Sequence, residues 1–260
     1  MGSPLADRVV VVTGASRRTA IGAAIVRRAV ADGAAVLLHS WSPHDAEQPW
    51  GEDAGGAEAL VEELRAAGGR VEHVSLDLAD PAAPAALITA AREAFGHVDA
   101  LVANHARSSM QDLEHLTATE LDLSFAVNTR ATLLLAQAFA AQHDDARPGG
   151  RVVLFTSGQY HGAMPDELPY IASKAALQGL TRSLAVHLAP RQITVNCVNP
   201  GPNDTGYADA AAHAAVTAAI PGGRWGRPAD LANLVAWLLD DEAAWVTGQT
   251  IASDGGWSAR

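Results

Sequence analysis

Arg8-Val9-Val10-Val11-Val12-Thr13-Gly14-Ala15-Ser16-Arg17-Arg18-Thr19-Ala20-Ile21-Gly22 is the stretch that decides the fold. Four consecutive valines are apolar on both faces, which suits a strand covered on both sides of a parallel sheet. Gly14 then lets the chain turn, and a stretch of helical period begins near Ile21. A strand, a glycine turn and a helix in that order leave free backbone N–H groups at the helix N-terminus. That end attracts anions, and glycine lets a pyrophosphate approach the backbone closely. The candidate contacts are Gly14, Ser16, Arg17, Arg18 and Ile21.

The same alternation repeats outward from this unit. Apolar runs predict strands at about 8–13, 35–40, 71–76, 98–103, 151–156, 193–198 and 249–252. Between them, helical periodicity predicts helices at about 21–32, 55–67, 82–95, 118–143, 168–188, 208–219 and 228–240. Asp80-Pro81 reads as an N-cap and first-turn proline, Gly33 and Gly68-Gly69 close two helices, and Pro228 opens another. No repeat, linker or break in composition divides the chain. The predicted fold class is α/β: one domain over 1–260, a doubly wound seven-stranded parallel sheet with helices on both faces. In such a sheet ligands bind outside the carboxyl ends of the strands.

Composition narrows the function classes. The 260 residues are 48% hydrophobic and 18% charged, enough for one substantial core. No apolar run reaches the roughly 18 residues that span a bilayer, and the first residues carry no signal or myristoylation pattern, so a cytoplasmic location is expected. A net charge of −11, without a basic run, argues against nucleic acid. The lone Cys197, in an apolar strand, excludes an intramolecular disulfide framework. Ten histidines are scattered without HxxxH or HxxEH spacing, so no metal site is predicted.

The basic residues carry a further signal. Alanine makes up about a fifth of the chain, and of the 18 basic residues only Lys174 is a lysine. It lies in Tyr170-Ile171-Ala172-Ser173-Lys174, where residues four apart share one helix face and can address one ligand. A phenol of pKa about 10 is a poor acid or base at neutral pH, and a nearby ammonium would lower it. Arginine offers a broad planar fork instead of a compact amine, so the one lysine left in an arginine-rich chain is expected to be required.

Cofactor choice is read at the end of the second strand, where a carboxylate selects NAD(H) by binding the ribose hydroxyls and repelling a 2′-phosphate. Here that strand ends Leu38-His39-Ser40-Trp41, with no acid, while Arg17 and Arg18 stand in the adjacent loop. NADP(H) is therefore predicted, bound partly by His39 and Ser40, with NAD(H) second.

With the glycine loop and the Tyr/Lys pair in place, the chain resembles the short-chain dehydrogenase/reductase family of Rossmann-fold enzymes from about residue 8 to 257. The family loop TGxxxGxG is here two residues longer, with Ala20 in place of its middle glycine, a spacing similar to that of the enoyl-reductase branch. The resemblance implies that Asp77, followed by Leu78, binds adenine, although turn chemistry would also place an Asp there. Asn104 matches the second Asn of the family's NNAG, while His105 and Ala106 depart from it. Ser157 matches the serine that hydrogen-bonds the substrate oxygen, and Asn128 the asparagine that supports a water-linked proton path to the lysine. Pro200, Gly201, Asn203 and Thr205 match the turn that holds the nicotinamide, Asp254-Gly255-Gly256-Trp257 matches the tail, and segment 204–226 is expected to be a substrate lid.

The implied activity is reduction of a ketone to a secondary alcohol, as in 3-oxoacyl-carrier-protein-reductase-like ketoreductases. Asn128, Ser157, Tyr170 and Lys174 are the catalytic set, and Tyr170 and Lys174 also contact the cofactor. The implied substrate is a small carbonyl or alcohol, thioester-linked in one version. The implied assembly is a homotetramer, with a dimer next. Two alternatives stay open: an NAD(H)-dependent alcohol dehydrogenase or enoyl reductase of the same family, and a non-catalytic dinucleotide-binding sensor or scaffold. The enoyl-reductase branch places its Tyr seven residues before the Lys, where this chain has Glu167.

Overall fold

A computed structural model describes residues 3–147 and 149–259. Its seven strands are β1 (Val9–Val12), β2 (Ala35–Ser40), β3 (Val71–Ser75), β4 (Ala100–Ala103), β5 (Arg151–Phe155), β6 (Thr194–Asn199) and β7 (Thr250–Ala252). They form one parallel sheet in the order β3-β2-β1-β4-β5-β6-β7. The chain order reverses between β1 and β4, which opens a crevice at the carboxyl ends of those two strands.

The helices are α1 (Ile21–Ala31), α2 (Ser42–Ala46), α3 (Gly56–Ala66), α4 (Ala83–Phe95), α5 (Ala118–Ser124), α6 (Ala131–Gln142), α7 (Leu168–Leu188), α8 (Ala210–Ala219) and α9 (Pro228–Leu239). The valines of β1 divide between two cores, as period-two geometry requires. Val10 and Val12 pack with Ile25 of α1, Leu60 of α3, and Leu231 and Val235 of α9. Val9 and Val11 pack with Leu87 of α4, Leu135 and Phe139 of α6, and Leu188 of α7. Each such side chain contributes roughly 1.5–3 kcal/mol by leaving water, so the central strand is anchored from both sides. No helix is long and apolar enough to cross a membrane, among the described residues.

Three local expectations change. The helix predicted over 118–143 is interrupted by a π turn at Phe125–Arg130 between α5 and α6. Thr132 Oγ1 donates to the Asn128 carbonyl at 2.8 Å within this region. A periodicity argument does not see such a turn because the apolar face survives it. The short helix α2 stands where the sequence predicts loop. Asp80 accepts from the Ala82 N–H at 2.8 Å and so caps a turn before α4, which begins only at Ala83.

Segment 204–226 closes on itself. Asn203 pairs with Gly226 in a parallel bridge, and the Asp204 N–H donates to the Gly226 carbonyl at 2.9 Å. Within it, the buried Trp225 ring stacks on His213 with 5.0 Å between centroids and donates Nε1 to the His213 carbonyl at 2.9 Å.

Candidate active site

The glycine loop is shaped by contact with the turn after β4. Gly14 has φ +73, and a Cβ there would lie 2.6 Å from His105 Cα, so any side chain collides with the neighbouring backbone. Asn104 Nδ2 donates to the carbonyls of Thr13 and Gly14 at 3.1 and 2.9 Å. Behind it, His105 Nε2 donates to the Val127 carbonyl at 2.9 Å, which leaves Nδ1 to accept from Thr13 Oγ1 at 2.7 Å. Burial, with Lys174 and His39 adding, pushes the His105 imidazole down to about 3, so the ring is neutral and structural. The N-cap of α1 is Ala20, which has no side chain with which to cap the helix. A bare helix end next to a glycine cradle is the environment that a pyrophosphate needs.

A cleft of about 380 Å³ opens from this loop. Gly14, Ser16, Arg17, His39, Asp77, Leu78 and Asn104 all line it, as the sequence predicts. His39 accepts from the Gly14 N–H at 3.3 Å and donates to the Leu76 carbonyl at 2.9 Å, and burial pushes it down to about 4. Asp77 accepts from the Ala79 N–H at 2.8 Å while facing the cleft, so turn chemistry and lining coexist in one residue. Of the predicted contacts in the glycine loop and at the end of β2, three do not line the cleft. Arg18 is forked onto Asp53 at 2.7 and 3.0 Å, outside the cleft, because the carboxylate matches its planar fork. Ser40 is buried against His73 Nε2 at 2.8 Å, on the far side of the strand end. Ile21 is the first residue of α1 and packs partly against the core.

The cleft also has walls that the sequence reading missed: Trp41, His44, Asp45, Glu47 and Trp50 around α2, and Arg107 after β4. Their signal was the length of the β2–α3 connection with its two tryptophans, since such connections usually need about 2–6 residues.

Ser157 follows β5, and Tyr170 lies in the first turn of α7. The Ser157 side chain acts on the Tyr170 phenol across the space between them. Burial pushes the Tyr170 phenol up to about 12 against the lowering influence of Ser157, with Glu167 and Tyr207 adding to the rise. Lys174 is buried and donates Nζ to the carbonyls of Phe155 at 3.2 Å and His105 at 3.4 Å. Burial pushes its amine down to about 8. The expected depression of the phenol by the ammonium is therefore absent: Lys174 addresses two carbonyl oxygens, and desolvation dominates both groups. Asn128 differs too. Its Oδ1 accepts from the Arg107 N–H at 2.7 Å, and its Nδ2 donates to the Arg107 carbonyl at 3.0 Å and to Ser173 Oγ at 2.8 Å. The side chain is thus committed to joining the β4 turn to α7, one residue from Lys174.

Pro200, Gly201, Asn203 and Thr205 stand after β6, outside the cleft. A Cβ at Gly201 would lie 2.3 Å from the Asp254 Cβ, which fixes this turn against the tail. Asn203 Oδ1 is buried without a hydrogen-bond partner, while the buried Asn199 side chain acts on Tyr160.

A doubly wound sheet with Ser157, Tyr170 and Lys174 gathered at its carboxyl edge is the arrangement of a short-chain dehydrogenase/reductase. The chain belongs to that family. A family model described as enoyl-(acyl carrier protein) reductase matches residues 14–258. A relative named uncharacterized oxidoreductase YjdA, from Bacillus subtilis, is 36% identical over 251 residues, 96% of each protein. A solved short-chain dehydrogenase from Burkholderia cenocepacia, in complex with NADP, superposes with a TM-score of 0.87 at 35% identity, covering 99% of this chain and 100% of that one. The angucycline C-6 ketoreductase LanV, with bound NADP, superposes with a TM-score of 0.87 at 30% identity over 100% of this chain and 99% of that one.

Proposed function

We propose that this protein is an NADP(H)-dependent oxidoreductase that reduces a ketone to a secondary alcohol and catalyses the reverse oxidation. The observation that carries the reading is the Tyr170 phenol with the Ser157 side chain acting on it and the buried Lys174 four residues on along α7. The NADP bound to the two similar structures, one named a ketoreductase, supports the cofactor and the reaction. Gly14, the uncapped end of α1 and the cleft residues would hold the dinucleotide, with Asn203 and Thr205 toward its nicotinamide. When bound, it supplies hydride transfer to or from carbon.

The remaining chemistry belongs to the chain. With its pKa pushed up to about 12, the Tyr170 phenol is protonated at neutral pH, the form required of a proton donor. Ser157 holds the phenol in position and offers its hydroxyl to the substrate oxygen, where negative charge develops. Lys174 keeps a compact amine at the junction of the β4 and β5 ends, from which it would hold the cofactor ribose, and Asn128 positions the backbone beside it. The chain acts as a homotetramer, with a dimer the alternative; exposed Phe125 at the π turn and Val186 on α7 support assembly through these helices.

Enoyl reduction is the second reading, favoured by the longer glycine loop and by the description of the matching family model. Acetoacetyl and crotonyl thioesters, with a panel of ketones and alcohols, offered with NADPH and NADH, test both. Ketone reduction is expected. Reduction of the C=C bond without ketone reduction would overturn the assignment, and inactivity on the whole panel despite tight dinucleotide binding would favour a sensor.

A further inference from the structure

No carboxylate ends β2, where an acid selecting NAD(H) ordinarily stands. The tertiary structure brings one in from α2. Asp45 lines the cleft, accepts from Trp50 Nε1 at 3.0 Å and stands 3.6 Å from Arg17 Nε. The side chains of Arg17 and Asp45 are only 15% and 16% exposed. The Arg17 guanidinium lies over the Trp50 ring, 5.2 Å from its centroid, and donates Nη1 to the Thr205 carbonyl at 3.1 Å. Of the two loop arginines, Arg17 alone faces the cleft, since Arg18 is forked onto Asp53.

Helix α2 is held over the cleft by contacts from the opposite wall. The Ser108 N–H donates to His44 Nε2 at 3.2 Å, and Arg107, forked onto Glu120 at 2.8 and 2.9 Å, comes within 4.0 Å of Glu47. Asp45 is thus fixed on a pinned element, tethered by an indole N–H and facing the Arg17 guanidinium.

We infer that Asp45 is a cofactor-specificity residue that works against Arg17. Its carboxylate accepts the ribose hydroxyls of NAD(H) and opposes the 2′-phosphate of NADP(H), so the pair leaves the protein able to bind both dinucleotides. This rests on the oxidoreductase reading above. A phosphate entering the cleft must share a half-buried guanidinium with a carboxylate already beside it, and like charges at that range repel strongly where water is scarce. Discrimination between two ligands depends on such a repulsive element as much as on the attractive one. Arg17 alone would give NADP(H) preference. Asp45 holds that preference down.

The test is calorimetric titration of the full chain with NADPH and with NADH, for wild type, Asp45→Asn, Asp45→Ser and Arg17→Gln. Wild type is expected to favour NADPH over NADH by no more than about tenfold. Both Asp45 variants should tighten NADPH about tenfold and leave NADH unchanged or weaker, while Arg17→Gln weakens NADPH and spares NADH. An unmoved ratio of the two dissociation constants in both Asp45 variants overturns the inference, as does a wild-type preference for NADPH beyond about a hundredfold. Binding with an unmoved ratio removes the inference alone; no binding of either dinucleotide removes the oxidoreductase reading as well.

Discussion

The Ser157 side chain, just after β5, meets the Tyr170 phenol in the first turn of α7. Two groups from separate elements thus meet where a substrate oxygen would sit, and burial keeps the phenol protonated.

Tyr170→Phe removes the proton and keeps the ring. Turnover should fall about 10²–10⁴-fold, with the NADPH dissociation constant unchanged. Ser157→Ala should lower turnover about 10²–10³-fold. Steady-state rates beside calorimetric titration check both, and undiminished turnover in the Phe variant would disprove the role of the tyrosine.

Lys174→Arg preserves charge but must fit a planar fork between the carbonyls of Phe155 and His105, where the amine now donates at 3.2 and 3.4 Å. Activity should drop at least about hundredfold, and overpacking should cost about 1–3 kcal/mol in urea unfolding. A fully active variant would return this lysine to accident.

Acid should destabilise the fold through two buried histidines. His39 and His105 are pushed down to about 4 and about 3 from an ordinary 6.5, so between those values and 6.5 the unfolded chain binds more protons than the folded one. Stability therefore rises with pH in this window and is lost as pH falls below 6.5, at up to about 1.4 kcal/mol per pH unit for each ring. Urea unfolding between pH 4 and 7 should show this slope, reduced by one proton in His105→Gln. An identical slope in that variant would exclude His105 as its source.

Gly14→Ala places a methyl group 2.6 Å from the His105 Cα at φ +73. The strain should cost about 1–3 kcal/mol and move the glycine loop away from the β4 turn, weakening both NADPH and NADH. Thermal melting and titration would register the two losses; unaltered affinity would show that the loop tolerates displacement.

Val186→Glu puts a charge on an exposed apolar position of α7. If this helix joins protomers, light scattering should report a smaller species than for wild type, with the far-UV spectrum unchanged. The same mass for both would place the assembly surface elsewhere.

The main features of the fold lie in local pattern. Four valines in a row, helical alanine-rich runs and a glycine after the first strand are short-range properties, and together they define seven strands and their crossovers. Tyr170 and Lys174 are equally legible because helix geometry alone sets residues four apart on one face. The π turn at Phe125–Arg130 and helix α2 escape such reading, since neither breaks the apolar rhythm around it.

Local sequence pattern is enough to place the doubly wound sheet, its crevice and the residue types that gather there. Which group each side chain addresses was decided by tertiary structure alone. Arg17 and Arg18 are neighbours of identical chemistry, yet one faces the cleft beside Asp45 and the other is spent on Asp53. Lys174 turns to backbone carbonyls of two different strand ends, and His105 becomes a neutral strut. The physical reason is that desolvation and pairing depend on distances between elements far apart in the chain, and only packing of the two layers on the sheet sets those distances.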